Sequence, residues 1–188
     1  MSKFDYAAAV RWARFDPGRT LARRADEELP FLGNKVTAGQ ELLLDTCVYI
    51  DGLQGRAPTC VADLLDVRLS NHSSIAIREL MHTVGVLDPS HPSTATAIEQ
   101  TRRVIEAMQS HRTFVPDIDV LGRAAVLCGM LCRLHGYQRD ARLEALHDCA
   151  LFLQAQKLSL TVLTANVSDF DYLLQLIPAG RVLFYRTV

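Results

Sequence analysis

Along most of this chain, short continuous apolar runs alternate with segments in which an apolar residue recurs every three or four positions. Short runs of apolar and β-branched residues predict buried strands at residues 41–48, 159–166 and 181–185, with a short strand or turn at 72–76. Segments with an apolar residue every three or four positions predict amphipathic helices at residues 58–69, 75–87, 94–110, 117–136, 139–158 and 168–176. Pro58 begins the first of these helices, Gly136 ends the fourth, and Ser168 caps the last.

Alternation of helices with short, wholly apolar strands is typical of a parallel sheet that is covered on both faces. We therefore expect residues 41–188 to form an α/β domain with three layers, α/β/α, around a central and mostly parallel sheet. Residues 1–40 have a different pattern, in which a helical segment with Tyr6, Val10 and Ala13 on one face precedes a charged stretch. We expect this part to be a helical N-terminal extension, either docked on the domain or partly loose.

The composition is that of an ordinary globular domain. Of 188 residues, 49% are hydrophobic and 22% are charged, and the net charge of −1 gives no overall field that attracts nucleic acid. The apolar runs are far shorter than the roughly 18 residues that cross a bilayer, so we expect a cytoplasmic protein without a membrane partner. The five cysteines form no CxxC pair, which favours reduced, buried thiols over disulfides or a zinc site.

A few basic and aromatic residues are candidates for contact with nucleic acid. Arg102, Arg103 and Arg112 are assigned to one helix, with His111 nearby, and arginine side chains can grip phosphates. A solvated polar face is the commoner role of such a cluster, and both interpretations stay open. Trp12 is expected to anchor the N-terminal extension by packing rather than to stack on bases.

The segment ELLLDTCVYIDG places a carboxylate directly after an apolar run. Asp45 ends the first predicted strand, and Asn166 with Asp169 follows the strand LTVLT. In open parallel sheets, ligands bind outside the carboxyl ends of the strands, so these side chains are expected at one edge. Asp45 taken alone is equally well explained as a turn or cap residue. The acids that follow it in the chain favour a site.

Two further acids lie in apolar surroundings. Glu79 occurs in SSIAIRELMHTV, and Asp148 lies on a helix with only a narrow polar face, so its carboxylate must meet solvent, a partner or a metal ion. If these acids converge with Asp45 and the residues after LTVLT, their mutual repulsion requires a cation. Hard oxygen ligands favour Mg²⁺ or Mn²⁺, and such ions support attack at phosphorus, which is nuclease chemistry.

Plainer interpretations exist for the polar residues nearby. Glu79 alone would be an ordinary solvated helix residue, and Asp171 is expected to face solvent rather than to bind an ion. His147 precedes Asp148, but adjacent helix residues point about 100° apart. We therefore expect the imidazole of His147 to be structural and to lie outside the site.

Three stretches of the chain together resemble the motifs of a known family. LLLDTCVYID, then SSIAIREL, then LHDCALFLQAQKLSLTVLTANVSDFDYL are similar to the first, second, and third to fourth motifs of PIN domains, in particular the VapC-type toxins of bacterial toxin–antitoxin pairs. The resemblance covers residues 41–188. It implies a metal-dependent endoribonuclease that uses Mg²⁺ or Mn²⁺, acts on RNA, and leaves a 5′ phosphate and a 3′ hydroxyl.

The resemblance also implies roles for single residues. The family's three core acids are matched by Asp45, Glu79 and Asp148. Its strand-end hydroxyl is matched by Thr164, whereas Asn166 stands where many members have a fourth acid. Asp169 is expected to supply the nearby carboxylate instead. The candidate catalytic residues are Asp45, Glu79, Asp148 and Asp169, and the candidate metal ligands are the same four with Asn166, supported by Thr164.

Protein partners follow from the same resemblance. A VapC-type protein is expected to form a homodimer and to bind a cognate antitoxin, and the helices at 75–87 and 94–110 could present the apolar surface for either. The missing fourth acid and the extra N-terminal residues support a second hypothesis of a different class. In that hypothesis the chain is a PIN-fold module with weak or no catalysis, which acts through RNA or protein contacts.

Overall fold

A parallel sheet of five short strands lies at the centre of the structure, a computed structural model that describes residues 4–16, 18, 20–33, 38–136 and 141–188. The strands are β1 Leu42–Leu44, β2 Ser70–Ser73, β3 Thr113–Phe114, β4 Thr161–Thr164 and β5 Val182–Phe184. Each neighbouring pair runs parallel, and the order across the sheet is β3-β2-β1-β4-β5. The prediction of a parallel sheet is confirmed.

Helices cover both faces of this sheet, so the expected three-layer α/β/α fold is confirmed. They are α1 Tyr6–Ala13, α2 Thr46–Leu53, α3 Thr59–Val67, α4 Ser74–Val86, α5 Thr94–Ala107, α6 Ile118–His135, α7 Ala141–Leu158 and α8 Val167–Leu176. Short 3-10 turns occur at Asp26–Glu28 and Ser110–Arg112. Within the described ranges, no helix combines the length and the apolar character that crossing a bilayer demands.

The side chains of the central strands divide between two cores. Leu43 of β1 and Val162 of β4 belong to the larger core, which side chains of α6, α7 and α8 complete. Leu42, Leu44 and Leu163 belong to a smaller core together with side chains of α2 and α3. Because successive residues of a strand point to opposite faces, this division places one helical layer on each side of the sheet.

The first strand is shorter than the sequence predicts. β1 ends at Leu44, and α2 begins at Thr46 with Asp45 as its N-cap, so the prediction of a strand over 41–48 is wrong beyond Leu44. An apolar run does not by itself distinguish a buried strand from a buried helix. The consequence is that Asp45 lies at a junction where a strand ends and a helix starts.

Two smaller features also differ from the prediction. Asn166, and not Ser168, is the N-cap of α8, because the Asn166 side chain accepts a hydrogen bond from the backbone N of Asp169. β3 was not predicted, since a strand of two residues carries no detectable period. It exists because its backbone pairs with β2.

α1 packs against α6 and uses a different face from the one predicted. Ala9 is 1% exposed and Trp12 packs against the larger core, whereas Tyr6 is 71% exposed. The predicted face of Tyr6, Val10 and Ala13 is therefore wrong, because a single short helix offers few apolar residues from which to judge its buried side. Trp12 has the packing role that was expected of it.

Residues 20–33, which we call the N-terminal strap, contact α8 with their first part and pair with the outer side of β5 with their last. Leu32 N donates to Phe184 O (2.7 Å) and Phe184 N donates to Pro30 O (3.0 Å). The rings of Phe31 and Phe184 lie against each other with centroids 5.6 Å apart. The strap thus adds a short stretch of parallel pairing to the edge of the sheet.

Candidate acidic site at the carboxyl edge of the sheet

The site lies where the chain changes direction across the sheet. From β1 the chain proceeds to β2 and β3 on one side, and β4 then pairs with β1 on the other side. Such a switch point leaves a crevice at the carboxyl ends of the two strands. Asp45 directly follows β1 and Thr164 ends β4, and Thr164 Oγ1 donates to Asp45 Oδ2 (2.5 Å). The expectation that these two strand ends meet is confirmed.

Asp45 is held by hydrogen bonds from three neighbours. Besides Thr164, the backbone N of Thr46 donates to Asp45 Oδ1 (2.6 Å) and Cys47 Sγ donates to Oδ2 (3.3 Å). Asp45 is 6% exposed. Burial raises the pKa of this carboxyl above its usual range, the charge of Glu79 adds to the rise, and the hydrogen bonds from Thr164 and Cys47 oppose it. The capping role and a place in a site therefore coexist in one residue.

Glu79 of α4 reaches the same crevice from the β2 side. One of its oxygens accepts from Thr46 Oγ1, and the other is hydrogen-bonded to His147 Nδ1 of α7. Burial acts to raise the pKa of Glu79, but the hydrogen bonds from His147 and Thr46 and the charge of Arg78 outweigh it and bring the pKa below the usual value. Glu79 is thus ionised and tied to two helices other than its own.

The side-chain amide of Asn166 is hydrogen-bonded to the two remaining acids, Asp148 and Asp169. Asn166 Nδ2 donates to Asp148 Oδ2 (2.9 Å) and to Asp169 Oδ2 (3.0 Å). Burial raises the pKa of Asp148 well above its usual value, and the charges of Asp45, Asp169 and Glu79 raise it further. Asp148 is therefore the acid on which the repulsion within this cluster is concentrated.

A cavity of about 860 Å³ opens at this edge. Of the residues predicted for a site, those that line it are Asp45, Glu79, Asp148 and Asn166. Thr164 and Asp169 do not line the cavity, but they are hydrogen-bonded to Asp45 and to Asn166, respectively. The cavity is also bordered by apolar side chains, Ile50 and Leu143, and by polar ones, Arg78 and His82. All of the sequence-predicted residues are thus brought to one place.

The donor set fits a hard divalent cation in its chemistry. Carboxylate and amide oxygens are the ligands that Mg²⁺ and Mn²⁺ prefer, and a cation among them would offset the repulsion that raises the pKa of Asp148. As the side chains stand, no three His, Cys, Asp or Glu residues in the described part of the chain are arranged to hold one ion. Both oxygens of Glu79 are hydrogen-bonded, one to Thr46 and one to His147, and each retains a lone pair for an ion.

Two residues lie where the sequence did not predict them. His147 was expected outside the site, yet its ring lines the cavity and bonds to Glu79. Adjacent helix positions diverge, but a cavity that spans α4 and α7 is wide enough for both His147 and Asp148 to reach it. Asp171 was expected to face solvent and is instead fully buried, where it accepts from Arg24 N (2.8 Å) and Arg24 Nε (2.6 Å).

Sequence reasoning missed Thr46 and Arg78 at this site. Thr46 is the first residue of α2, and recognition of the helix start after Asp45 would have drawn attention to its hydroxyl. Arg78 precedes Glu79 on α4 and carries no pattern that distinguishes it from a surface residue. Only the packing of α4 beside the crevice places its guanidinium at the cavity.

The arginines proposed as phosphate contacts lie elsewhere. Arg102 of α5 is paired with Glu99 and Glu106, and Arg103 is paired with Glu99. Arg112 lies outside α5, in the 3-10 turn before β3, so its assignment to the same helix is wrong. These observations favour the alternative of a solvated polar face for Arg102 and Arg103.

Solved structures with a similar fold exist, although no family model and no curated protein sequence matches this chain. A chain of FitAcB from Neisseria gonorrhoeae is 22% identical, with a TM-score of 0.54 over 76% of this chain and 96% of that one. Chains of VapBC2 from Rickettsia felis (13% identity) and of VapBC from Salmonella typhimurium (16%), both in complexes bound to DNA, each give a TM-score of 0.52 over 77% of this chain and 97% of their own. The resemblance to PIN domains of the VapC type is thereby confirmed as a likeness of fold.

Proposed function

We propose that this protein is a metal-dependent endoribonuclease, with Mg²⁺ or Mn²⁺ as its cofactor. The observation that carries the proposal is the convergence of Asp45, Glu79 and Asp148, from the β1–α2 junction, from α4 and from α7, on one cavity at the switch point of the sheet. A structural role alone does not explain why carboxylates with opposed pKa shifts are gathered in a crevice of this kind. RNA as the substrate is inferred from the resemblance to VapC-type proteins.

Each residue has a definite task in the proposed reaction. Asp45, Glu79 and Asp148 would hold the ion, and Asn166 would orient Asp148 and Asp169 through its two hydrogen bonds. The bound ion would lower the pKa of a water molecule and stabilise the charge that develops on the phosphate. Thr164 would hold the side chain of Asp45 in place through its hydrogen bond. Asp169, which accepts from Asn166, would order the attacking water or complete the ligand set.

The test combines metal binding with cleavage. Calorimetric titration with Mn²⁺ should give saturable binding that Asp45→Asn weakens by about 100-fold or more, since loss of mere outer-shell partners already costs 10–100-fold. Cleavage of a mixed RNA pool should require Mn²⁺, stop in EDTA, and be lost in the same variant. Asp63→Asn, on the exposed side of α3, is the control and should match the parent in both assays. Cleavage by Asp45→Asn at the parental rate would contradict the proposal.

A second candidate function is a PIN-fold module that binds RNA or protein and catalyses little. The observation in its favour is that Asn166 occupies the position of an acid while Glu79 is held by Thr46 and His147. Such a module need not bind a metal ion. Folded protein that binds RNA but shows no Mn²⁺ binding and no cleavage would favour this candidate over the nuclease.

We further propose a homodimer and an antitoxin-type protein as partners. The helices α4 and α5 pack on each other and expose Met81 (53%), Val86 (67%) and Ile98 (42%), which together offer an apolar surface. The VapBC relatives in fold were solved as complexes, which agrees with a protein partner for this chain.

Substitution of Ile98 by Glu is expected to dissociate the proposed homodimer, because it places a charge within this apolar surface. Light scattering should give a mass near twice 20.9 kDa for the parent and near 20.9 kDa for the variant. Val115→Glu, at a site that is 76% exposed and outside α4 and α5, should leave the dimer intact. A monomeric parent, or a dimer that survives Ile98→Glu, would count against this surface.

A further inference from the structure

A single cationic side chain borders the acidic cavity. Among the described residues that line it, Arg78 is the one lysine or arginine, and it lies on the exposed side of α4 directly before Glu79. Its guanidinium forms no ion pair with any residue in the ranges that the structure describes. His82 lies one helical turn further on and lines the same cavity, so both side chains project from one face of α4.

The position of Arg78 matters because the cavity floor repels its proposed substrate. Asp45, Glu79 and Asp148 present their carboxyl groups at the point where a phosphodiester would have to approach, and Glu79 among them has a lowered pKa and carries negative charge. The positive charge of Arg78 acts on these acids, because it contributes to lowering the pKa of Glu79. A strand of nucleic acid that enters the cavity therefore meets one attractive group at the rim before it meets the acids.

Other arginines contrast with Arg78 in this respect. Arg102 and Arg103 are bound by the glutamates of their own helix, and Arg112 is paired with Glu41. An arginine already engaged by carboxylates must give up those contacts before it binds phosphate, whereas Arg78 needs no such exchange within the described structure. This difference, together with its place at the cavity, favours Arg78 over these three arginines as a phosphate contact.

We infer that Arg78, assisted by His82, forms a subsite for a backbone phosphate next to the one that is cleaved. The inference rests on the proposed ribonuclease function and adds a substrate contact to it. Both side chains lie on the rim and not among the acids, so the phosphate they bind belongs to a neighbouring nucleotide of the strand. A guanidinium binds two phosphate oxygens at once, and the contact carries no base information. The subsite therefore positions the strand without setting its sequence.

The test measures the salt dependence of RNA binding without cleavage. A fluorescently labelled single-stranded RNA pool is titrated in EDTA with the parent and with Arg78→Ala, at salt concentrations from about 50 to about 200 mM. Loss of one phosphate contact should reduce the slope of log K against log salt by about 0.7 for a single strand. Single-stranded DNA of the same sequences should show the same reduction, because the contact is to phosphate. Arg78→Lys should restore most of the slope.

A matched control and a kinetic readout separate this role from others. Arg103→Ala removes an arginine that is exposed but paired, and it should leave the slope unchanged. In Mn²⁺, Arg78→Ala should raise KM about fivefold to tenfold, while kcat stays at the parental value and the Mn²⁺ affinity does not fall.

The possible outcomes distinguish failure of the phosphate subsite from failure of the proposed ribonuclease function. If Arg78→Ala binds and cleaves RNA like the parent, the subsite is overturned and the nuclease stands. A loss of Mn²⁺ affinity or of kcat with an unchanged salt slope also overturns it, because Arg78 would then act on the acids. A parent that binds no RNA overturns the subsite and the proposed substrate together.

Discussion

Replacement of Asp148 by Asn should raise the melting temperature of the protein while it abolishes metal-dependent cleavage. The carboxylate of Asp148 is surrounded by Asp45, Asp169 and Glu79, and burial together with these charges raises its pKa well above the usual 3.8. An amide removes the charge and keeps an oxygen that can accept from Asn166 Nδ2. The opposite signs of the two effects are what a site selected for function would show.

The expected size and pH dependence of this gain follow from linkage. A carboxyl whose pKa is higher in the folded than in the unfolded state costs stability once it ionises, by about 1.4 kcal/mol for every tenfold difference in its acid dissociation constant between the two states. At pH values below the unfolded pKa of 3.8, both states of Asp148 are protonated and the variant has no advantage. The advantage grows as the pH rises from there and levels off above the folded pKa. At pH 7 we expect the melting temperature to rise by about 2–4 °C for each kcal/mol gained.

Thermal unfolding in EDTA at several pH values measures this effect directly. Glu144→Gln is a suitable control, because Glu144 lies on the same helix at the exposed rim of the cavity and should change stability by less than about 0.5 kcal/mol. Added Mn²⁺ should reverse the order, since the parent gains stability by binding the ion and the variant does not. A variant that is less stable than the parent at pH 7 in EDTA would show that Asp148 is not strained by its neighbours.

Replacement of Arg24 by Met should destabilise the fold by about 3 kcal/mol. Asp171 is fully buried in α8 and accepts from both the backbone N and the Nε of Arg24, so loss of the guanidinium leaves a buried carboxylate without its cation. Removal of one partner of a buried pair costs roughly 3–5 kcal/mol, and the low end applies because the Arg24 side chain is 34% exposed. Chemical denaturation measures the change.

A double variant shows whether the stability lost in Arg24→Met comes from the unpaired, buried carboxylate of Asp171. Arg24→Met combined with Asp171→Leu removes both charges and should recover much of the stability that Arg24→Met loses, because apolar replacement of a whole pair is often neutral. Arg133→Met is the control, since Arg133 also contacts the N-terminal part of the chain, at Ala13 O (3.2 Å), without a buried acid as its partner. Additive losses in the double variant would mean that the pair acts through packing and not through charge.

The architecture was predictable because it follows from the spacing of apolar residues within short segments of the chain. The period of apolar residues fixed the helices from α3 to α8 and the strands β1 and β4, and wholly apolar strands indicated a sheet covered on both faces. The bounds were less predictable where local signals conflict. LLLDTCV is apolar throughout most of its length, and the strand stops where Asp45 caps α2.

The residues of the candidate site that follow the ends of strands were predictable from the sequence. The rule that ligands bind at strand ends correctly placed Asp45 and Asn166 at one edge, because they follow two neighbouring parallel strands. His147 and Arg78 depend on how α4 and α7 lie across the crevice, which no short-range pattern encodes. The partner of Asp171 is a residue 147 positions earlier in the chain, so its burial could not be inferred from the helix on which it lies.

The pairing of the N-terminal strap with β5 has a consequence for how copies of this chain meet. An open outer strand offers a row of backbone donors and acceptors on which a strand of another molecule can be templated. Here Pro30 and Leu32 already occupy those groups on Phe184. The strand at the opposite border, β3, has only two residues and is too short to seed a ladder. Neither border of the sheet therefore offers a long open strand to another molecule, so the proposed association with a second copy or another protein would have to use side-chain surfaces.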